Sequence, residues 1–146
     1  NLHLSGVNVE LCTVSGAYGG GGIYSADGTN LTLSSSRVFG NQAYAGGGIS
    51  TEGNISVADS RIESNTSTAS HGGGLALRDF NTARIEDTVI TGNHSNHSGG
   101  GLFVNFPELH MLRCEVSYNT AQENGGGLYA GTSSIWAAAR LIVRTR

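Results

Sequence analysis

The chain has 146 residues, with 23 glycines, one proline, no lysine, and 8 arginines against 11 acidic residues for a net charge of −3. With 13% of residues charged, no basic patch can neutralise a run of phosphates, which excludes nucleic acid as a partner. The longest apolar stretch, Ile135–Val143, is short and carries Arg140, so the sequence is not itself membrane-spanning as a helix.

Glycine triplets recur at Gly20–Gly22, Gly46–Gly48, Gly72–Gly74, Gly99–Gly101 and Gly125–Gly127, at spacings of 26, 26, 27 and 26 residues. A fixed period of this size marks a solenoid whose coils start near residues 20, 46, 72, 99 and 125. Before the first triplet, Val7, Val9, Cys12 and Val14 read as a worn coil in which Ala17 stands where later coils have asparagine.

The full coils align on Asn41, Asn65, Asn93 and Asn119. Three residues before each asparagine comes Val38, Ile62, Ile90 or Val116, and five before comes Ser36, Ser60, Thr88 or Cys114. Eight before stands Leu33, Val57, Ile85 or Met111, and ten before stands Leu31, Ile55, Ala83 or Leu109. Period-two spacing means strands. The change of parity between the second and third columns requires a corner at Ser34-Ser35, Ala58-Asp59, Glu86-Asp87 and Leu112-Arg113.

A further strand follows each triplet, with Ile23, Ile49, Leu75, Leu102 and Leu128 inward and Ser25, Thr51, Leu77, Val104 and Ala130 two residues on. Turns at Asp27-Gly28, Glu52-Gly53-Asn54 and Asn105-Phe106-Pro107 leave that strand. Three short strands per coil, wound one way, predict an all-β parallel β-helix spanning 1–146 as one segment. At the far end Ile135, Ala137 and Ile142 fit the columns, Arg140 falls where a small residue belongs, and Thr145 replaces asparagine. Neither end carries a polar cap. With Met111 its only methionine, the chain is expected to be a piece of a longer or processed protein. Cys12 and Cys114 fall four coils apart in this register, about 19 Å at 4.8 Å per coil, too far for a disulfide. Both are read as small buried apolar residues.

The motifs GGGI at Gly46–Ile49, GGGL at Gly72–Leu75 and Gly99–Leu102, and VFGN, IESN, ITGN and VSYN ending at the four asparagines resemble the repeats of polymorphic outer membrane proteins. More broadly they resemble the β-helix passengers of bacterial autotransporters, which implies a right-handed parallel β-helix, a pectin-lyase-like solenoid. That family uses GGA followed by an aliphatic residue and FxxN; here glycine holds the third position and valine or isoleucine replaces phenylalanine. The resemblance implies a secreted or cell-surface, outer-membrane-associated passenger. It would be adhesive toward carbohydrate or a surface protein and carried by a barrel outside this chain.

The asparagines suit corners, since asparagine tolerates left-handed geometry and its amide both donates and accepts. A buried file of them satisfies polar groups the corner would strand. No phosphate-cradling glycine motif is present, and no cofactor is indicated.

Three sets of outward residues are candidate sites. Asp59 and Asp87 share the corner column with Ser35 and Arg113, and Arg61 lies near; two carboxylates on adjacent coils suit a polysaccharide lyase or glycoside hydrolase of β-helix type. Against this, Arg113 can offset Asp87 as an exposed ladder. His71, His94 and His97 in adjacent loops are the candidate metal ligands, against a plain surface role. Phe103 and Tyr129 adjoin in the outward column Tyr24, Ser50, Ala76, Phe103, Tyr129 and would stack on sugar or dock a partner. Asn-x-Ser/Thr occurs at Asn30, Asn54, Asn65, Asn93 and Asn96, where glycans on Asn65 or Asn93 would clash with burial.

Overall fold

A computed structural model of the protein describes residues 1–17, 19–79, 82–105 and 108–131, and the backbone pairing of 134–144. Every strand pairing in it is parallel, in three sheets of ten, four and five strands. One coil shows the plan. Ile49–Thr51 lies in the five-stranded sheet; Asn54–Ala58 and Arg61–Glu63 belong to the ten-stranded sheet; Thr66–Ser67 lies in the four-stranded sheet. Besides the three expected strands, each full coil thus has a two-residue strand after its asparagine.

The columns read from sequence are the columns of the register. Leu31 pairs with Ile55, Ile55 with Ala83 and Ala83 with Leu109, and Val38, Ile62, Ile90 and Val116 pair in file. All eight of these side chains are at most 3% exposed. Burying such aliphatics is worth about 1.5–3 kcal/mol each, and stacking coils buries them where one coil alone would not.

The corners are sharp because one residue in each takes the left-handed region: Ser35 at φ 46°, Asp59 at 47°, Asp87 at 45° and Arg113 at 51°. A second file of left-handed residues, Leu11, Gly40, Ser64, Gly92 and Tyr118, stands immediately before the asparagine column. The asparagines themselves are not among the residues of positive φ. The residue before each one makes the bend, and the asparagine serves as its hydrogen-bonding brace.

The start of the chain differs from the sequence reading. Leu2 and Leu4 pair with Leu31 and Leu33, and Val9 pairs with Val38. The coil therefore sits five residues earlier than the pattern Val7, Val9, Cys12, Val14 implies. Gly6, at φ 63°, is the residue that turns its corner. Cys12, not Ala17, takes the place of asparagine, and its N–H donates to Asn41 Oδ1 at 3.0 Å. Cys12 is consequently exposed, while Cys114 is buried; both thiols are free.

At the far end Leu109 pairs with Ile135 and Met111 with Ala137, as expected, but a register shift after Leu112 pairs Cys114 with Leu141 and Val116 with Val143. Arg140 is thereby displaced from the small-residue column and Ile142 from the aliphatic one. Phe106, Pro107 and Thr145 lie outside the described residues.

Ile62 is fully buried within this file. Ile62→Asp places an unpaired carboxylate there, and a loss of several kcal/mol is expected, enough to unfold the segment in one transition. Thermal denaturation followed by circular dichroism measures it; an unchanged melting curve would contradict the register.

Candidate functional site

Two polar ladders run through the inside of the solenoid. In the first, Asn65 donates from Nδ2 to Asn93 Oδ1 at 2.9 Å and to the Val38 carbonyl at 3.0 Å, while its backbone N–H also donates to Asn93 Oδ1 at 3.0 Å. Asn41 and Asn93 repeat the pattern with the next asparagine, at 2.8–3.0 Å. Their second amide hydrogens go to Val9 O and Ile62 O, and that of Asn119 goes to Ile90 O. Asn65 and Asn93 thus use both amide hydrogens and accept two bonds at oxygen. The four side chains are 0–1% exposed.

Glycine triplets leave room for this ladder. A Cβ on Gly74 would lie 2.6 Å from Gly101 O, closer than real side chains approach, and 3.0 Å from Asn93 Nδ2, a tight contact.

The second ladder is made by the column five before the asparagines. Ser36, Ser60 and Thr88 each donate a hydroxyl to the carbonyl two residues back at 2.6 Å. They accept the backbone N–H of Val7, Ser36 and Ser60 respectively, at 3.1, 3.2 and 3.4 Å. Each hydroxyl therefore bridges the left-handed corner and ties it to the neighbouring coil. The Cys114 Sγ stands in the same place, 3.3 Å from Leu112 O, and burial raises its thiol above the ordinary range. Sequence reasoning saw only small residues; the signal was that all four carry an O–H or S–H.

On the outside, the Asp59–Asp87 corner is an exposed, outward turn. Arg113 grips Asp87 with two bonds, Nε to Oδ1 at 2.5 Å and Nη2 to Oδ2 at 2.6 Å. That pairing holds the Asp87 carboxyl below its usual range. Arg61 turns away to Glu63, with Nη2–Oε2 at 3.0 Å, and Arg37 reaches the other oxygen of Glu63 at 2.5 Å. Partial burial pushes the Glu63 carboxyl up, but the two guanidiniums outweigh it and the net shift is downward. Asp87 and Glu63 are thus spent on arginines. Asp59 and Asp87 share a column, while Arg61 is directed to a different partner.

The histidines divide. His94 Nδ1 lies 2.8 Å from Thr120 Oγ1 and its Nε2 3.0 Å from Asn96 Oδ1. His71 and His97 meet edge to face, with ring centroids 5.5 Å apart. No group of three metal-ligating side chains exists among the described residues.

His71 also lies flat on Phe103 at 4.3 Å, and Phe103 stacks on Tyr129 at 5.5 Å. Ser50, Ala76 and Phe103, read from sequence as outward, are buried, with Phe103 at 9% exposure. Both faces of the Phe103 ring are occupied from within the chain. The sequence kept aromatics and histidines in separate groups, and the structure brings two of each into one column.

Parallel strands in three faces around two internal ladders define a parallel β-solenoid. The family described as right-handed β-helix region matches residues 2–142, and the chain belongs to that family. No curated protein and no solved structure gives a match.

Asn93→Ala strands the Asn65 donors and the Ile62 carbonyl, at about 1–3 kcal/mol for each buried orphan. A loss of about 4 kcal/mol by urea denaturation is expected, whereas Asn54→Ala on the exposed side should cost under about 1 kcal/mol. Equal losses would contradict the internal role of the ladder. The Glu63 carboxyl, lowered from an ordinary 4.5, contributes stability above that pH. This contribution disappears as pH falls through the folded value. The difference between wild-type and Glu63→Gln melting temperatures should be largest at pH 6 and shrink as pH falls below 4.5; a constant gap would contradict the pairing.

Proposed function

We propose that this β-helix is a structural and adhesive segment of a secreted or cell-surface protein, holding a stiff scaffold from which loops meet carbohydrate or another surface protein. The observation that carries this reading is the division of labour across the wall of the solenoid. Inside, ladders of amides and hydroxyls tie each coil to the next in one register. Outside, Asp87 and Glu63 are neutralised by Arg113, Arg37 and Arg61. A carboxylate clamped by two guanidinium bonds is a poor general acid, because its proton affinity has been reduced.

Variation in length falls in the loops. Between asparagine and glycine triplet, the intervals are four, six, five and five residues, with the strands on either side in unbroken register. Such loops are where a scaffold carries recognition. The repeat resemblance to polymorphic outer membrane proteins and autotransporter passengers supports the same reading and the surface location.

The competing reading is a polysaccharide lyase or glycoside hydrolase acting at the Asp59/Asp87 corner. Asp59→Ala and Asp87→Ala separate the two. Under the scaffold reading both variants keep wild-type binding to glycan arrays or cells and lack any glycan-cleaving activity to lose. A cleavage activity in the wild type that falls 100-fold or more in either variant, on the order of a lost acid–base group, would overturn it.

A further inference from the structure

We propose that His71 is an acid-released latch: neutral, it joins the loops of two adjacent coils and covers one face of Phe103; protonated, it lets those loops open and uncovers that face. This goes beyond the scaffold reading and does not depend on it.

The geometry begins at Ser98. Its backbone N–H points at His71 Nδ1 at 3.3 Å, which fixes Nδ1 as the acceptor and places the ring proton on Nε2. Ser98 is 3% exposed, so this N–H has no water to turn to if the imidazole nitrogen is taken by a proton. The contact is reciprocal, since the N–H of Gly72, next to His71, donates to Ser98 O at 3.1 Å, and Ser95 Oγ donates to the same carbonyl at 3.2 Å. His71 O in turn accepts the Gly46 N–H at 3.1 Å. The loops 66–71 and 94–98 thus meet at this imidazole.

The groups around the ring decide the sign. On its own coil is Arg78, held by a 3.3 Å bond to Ser70 Oγ. On the next coil is His97, whose Nδ1 lies 2.8 Å from Glu123 Oε1 on the coil beyond. Phe103 covers one face, with Tyr129 behind it. Burial, His97 and Arg78 all disfavour an imidazolium at His71, and Glu123 alone favours it. A cation on the face of Phe103 gains some attraction from the ring. That gain does not replace the acceptor lost by Ser98, and a proton at Nδ1 would face the Ser98 N–H directly.

The linkage follows. A histidine whose folded pKa lies below its ordinary 6.5 costs nothing while neutral in both states. As pH falls below 6.5 the open form takes up the proton first, and the closed form is progressively disfavoured until the folded value is passed. The opening is local, because the asparagine ladder contains no group that titrates in this range.

The test is an NMR pH titration of the whole chain, following the His71 ring protons and amide hydrogen-exchange protection corrected for intrinsic rate. Between pH 7.5 and 5 the protection of Ser98 and Gly72 should fall roughly tenfold, with His71 titrating below 6.5. Asn65 and Asn93 amides should keep theirs. His71→Gln, whose carbonyl can accept from Ser98 without titrating, should remove the pH dependence. His71 titrating at or above its ordinary value, or Ser98 protection that does not change with pH in the wild type, would overturn the proposal whatever the variant does.

Discussion

The structure depends on one hydrogen-bonding constraint: a chain that turns sharply at the same place in every coil strands backbone groups inside the molecule. Asparagine meets it because its amide has the two donors and two acceptor positions the site requires. Each asparagine satisfies the neighbouring backbone N–H on one side and a strand carbonyl on the other, and the file of side chains joins coil to coil. Aliphatic columns supply the larger share of stabilisation, but they are tolerant of shape; leucine, isoleucine, alanine and methionine share them. The polar files are not tolerant. An amide displaced by one residue leaves both its own groups and its neighbours' unpaired, at about 1–3 kcal/mol for each. Register in this molecule is therefore set by the polar ladders more than by the apolar core.

Neighbouring features follow from the same constraint. The glycine triplets must be bare where the asparagine ladder passes, and the residue before each asparagine must adopt positive φ. That position is held by Gly40 and Gly92 in two coils and by Ser64, Tyr118 and Leu11 in the others, so the bend persists even where glycine is absent. The hydroxyl ladder does for the other corner what the amides do here. Its members bond to the carbonyl two residues back, which is why serine and threonine fill three of its places and a cysteine thiol the fourth.

Much of this was legible in the chain. Interior columns announce themselves because charge is forbidden at the same place in every coil, and the parity change fixes the corners at Ser35, Asp59, Asp87 and Arg113. The first coil was not legible from hydrophobicity, since Leu2, Leu4, Val7, Val9 and Val7, Val9, Cys12, Val14 have the same spacing. Gly6 carried the distinguishing signal, as the residue best suited to a left-handed corner. Outward positions were the least legible. Alternation says which way Phe103 leaves its strand, but not that a loop histidine will lie across it. The Asp87–Arg113 pair was legible from their shared column, whereas the turn of both Arg37 and Arg61 to Glu63 is set by side-chain geometry that no pattern encodes.

The central claim is that adjacent asparagines act as one unit. A double-mutant cycle on Asn65→Ala and Asn93→Ala, read as unfolding free energy, addresses it most directly. Removing the first breaks the shared bonds, so removing the second should cost less than it does alone, with a coupling of about 1–3 kcal/mol. Losses that add to within about 0.5 kcal/mol would mean that each asparagine braces only its own coil, and the ladder would not be what holds the coils in register.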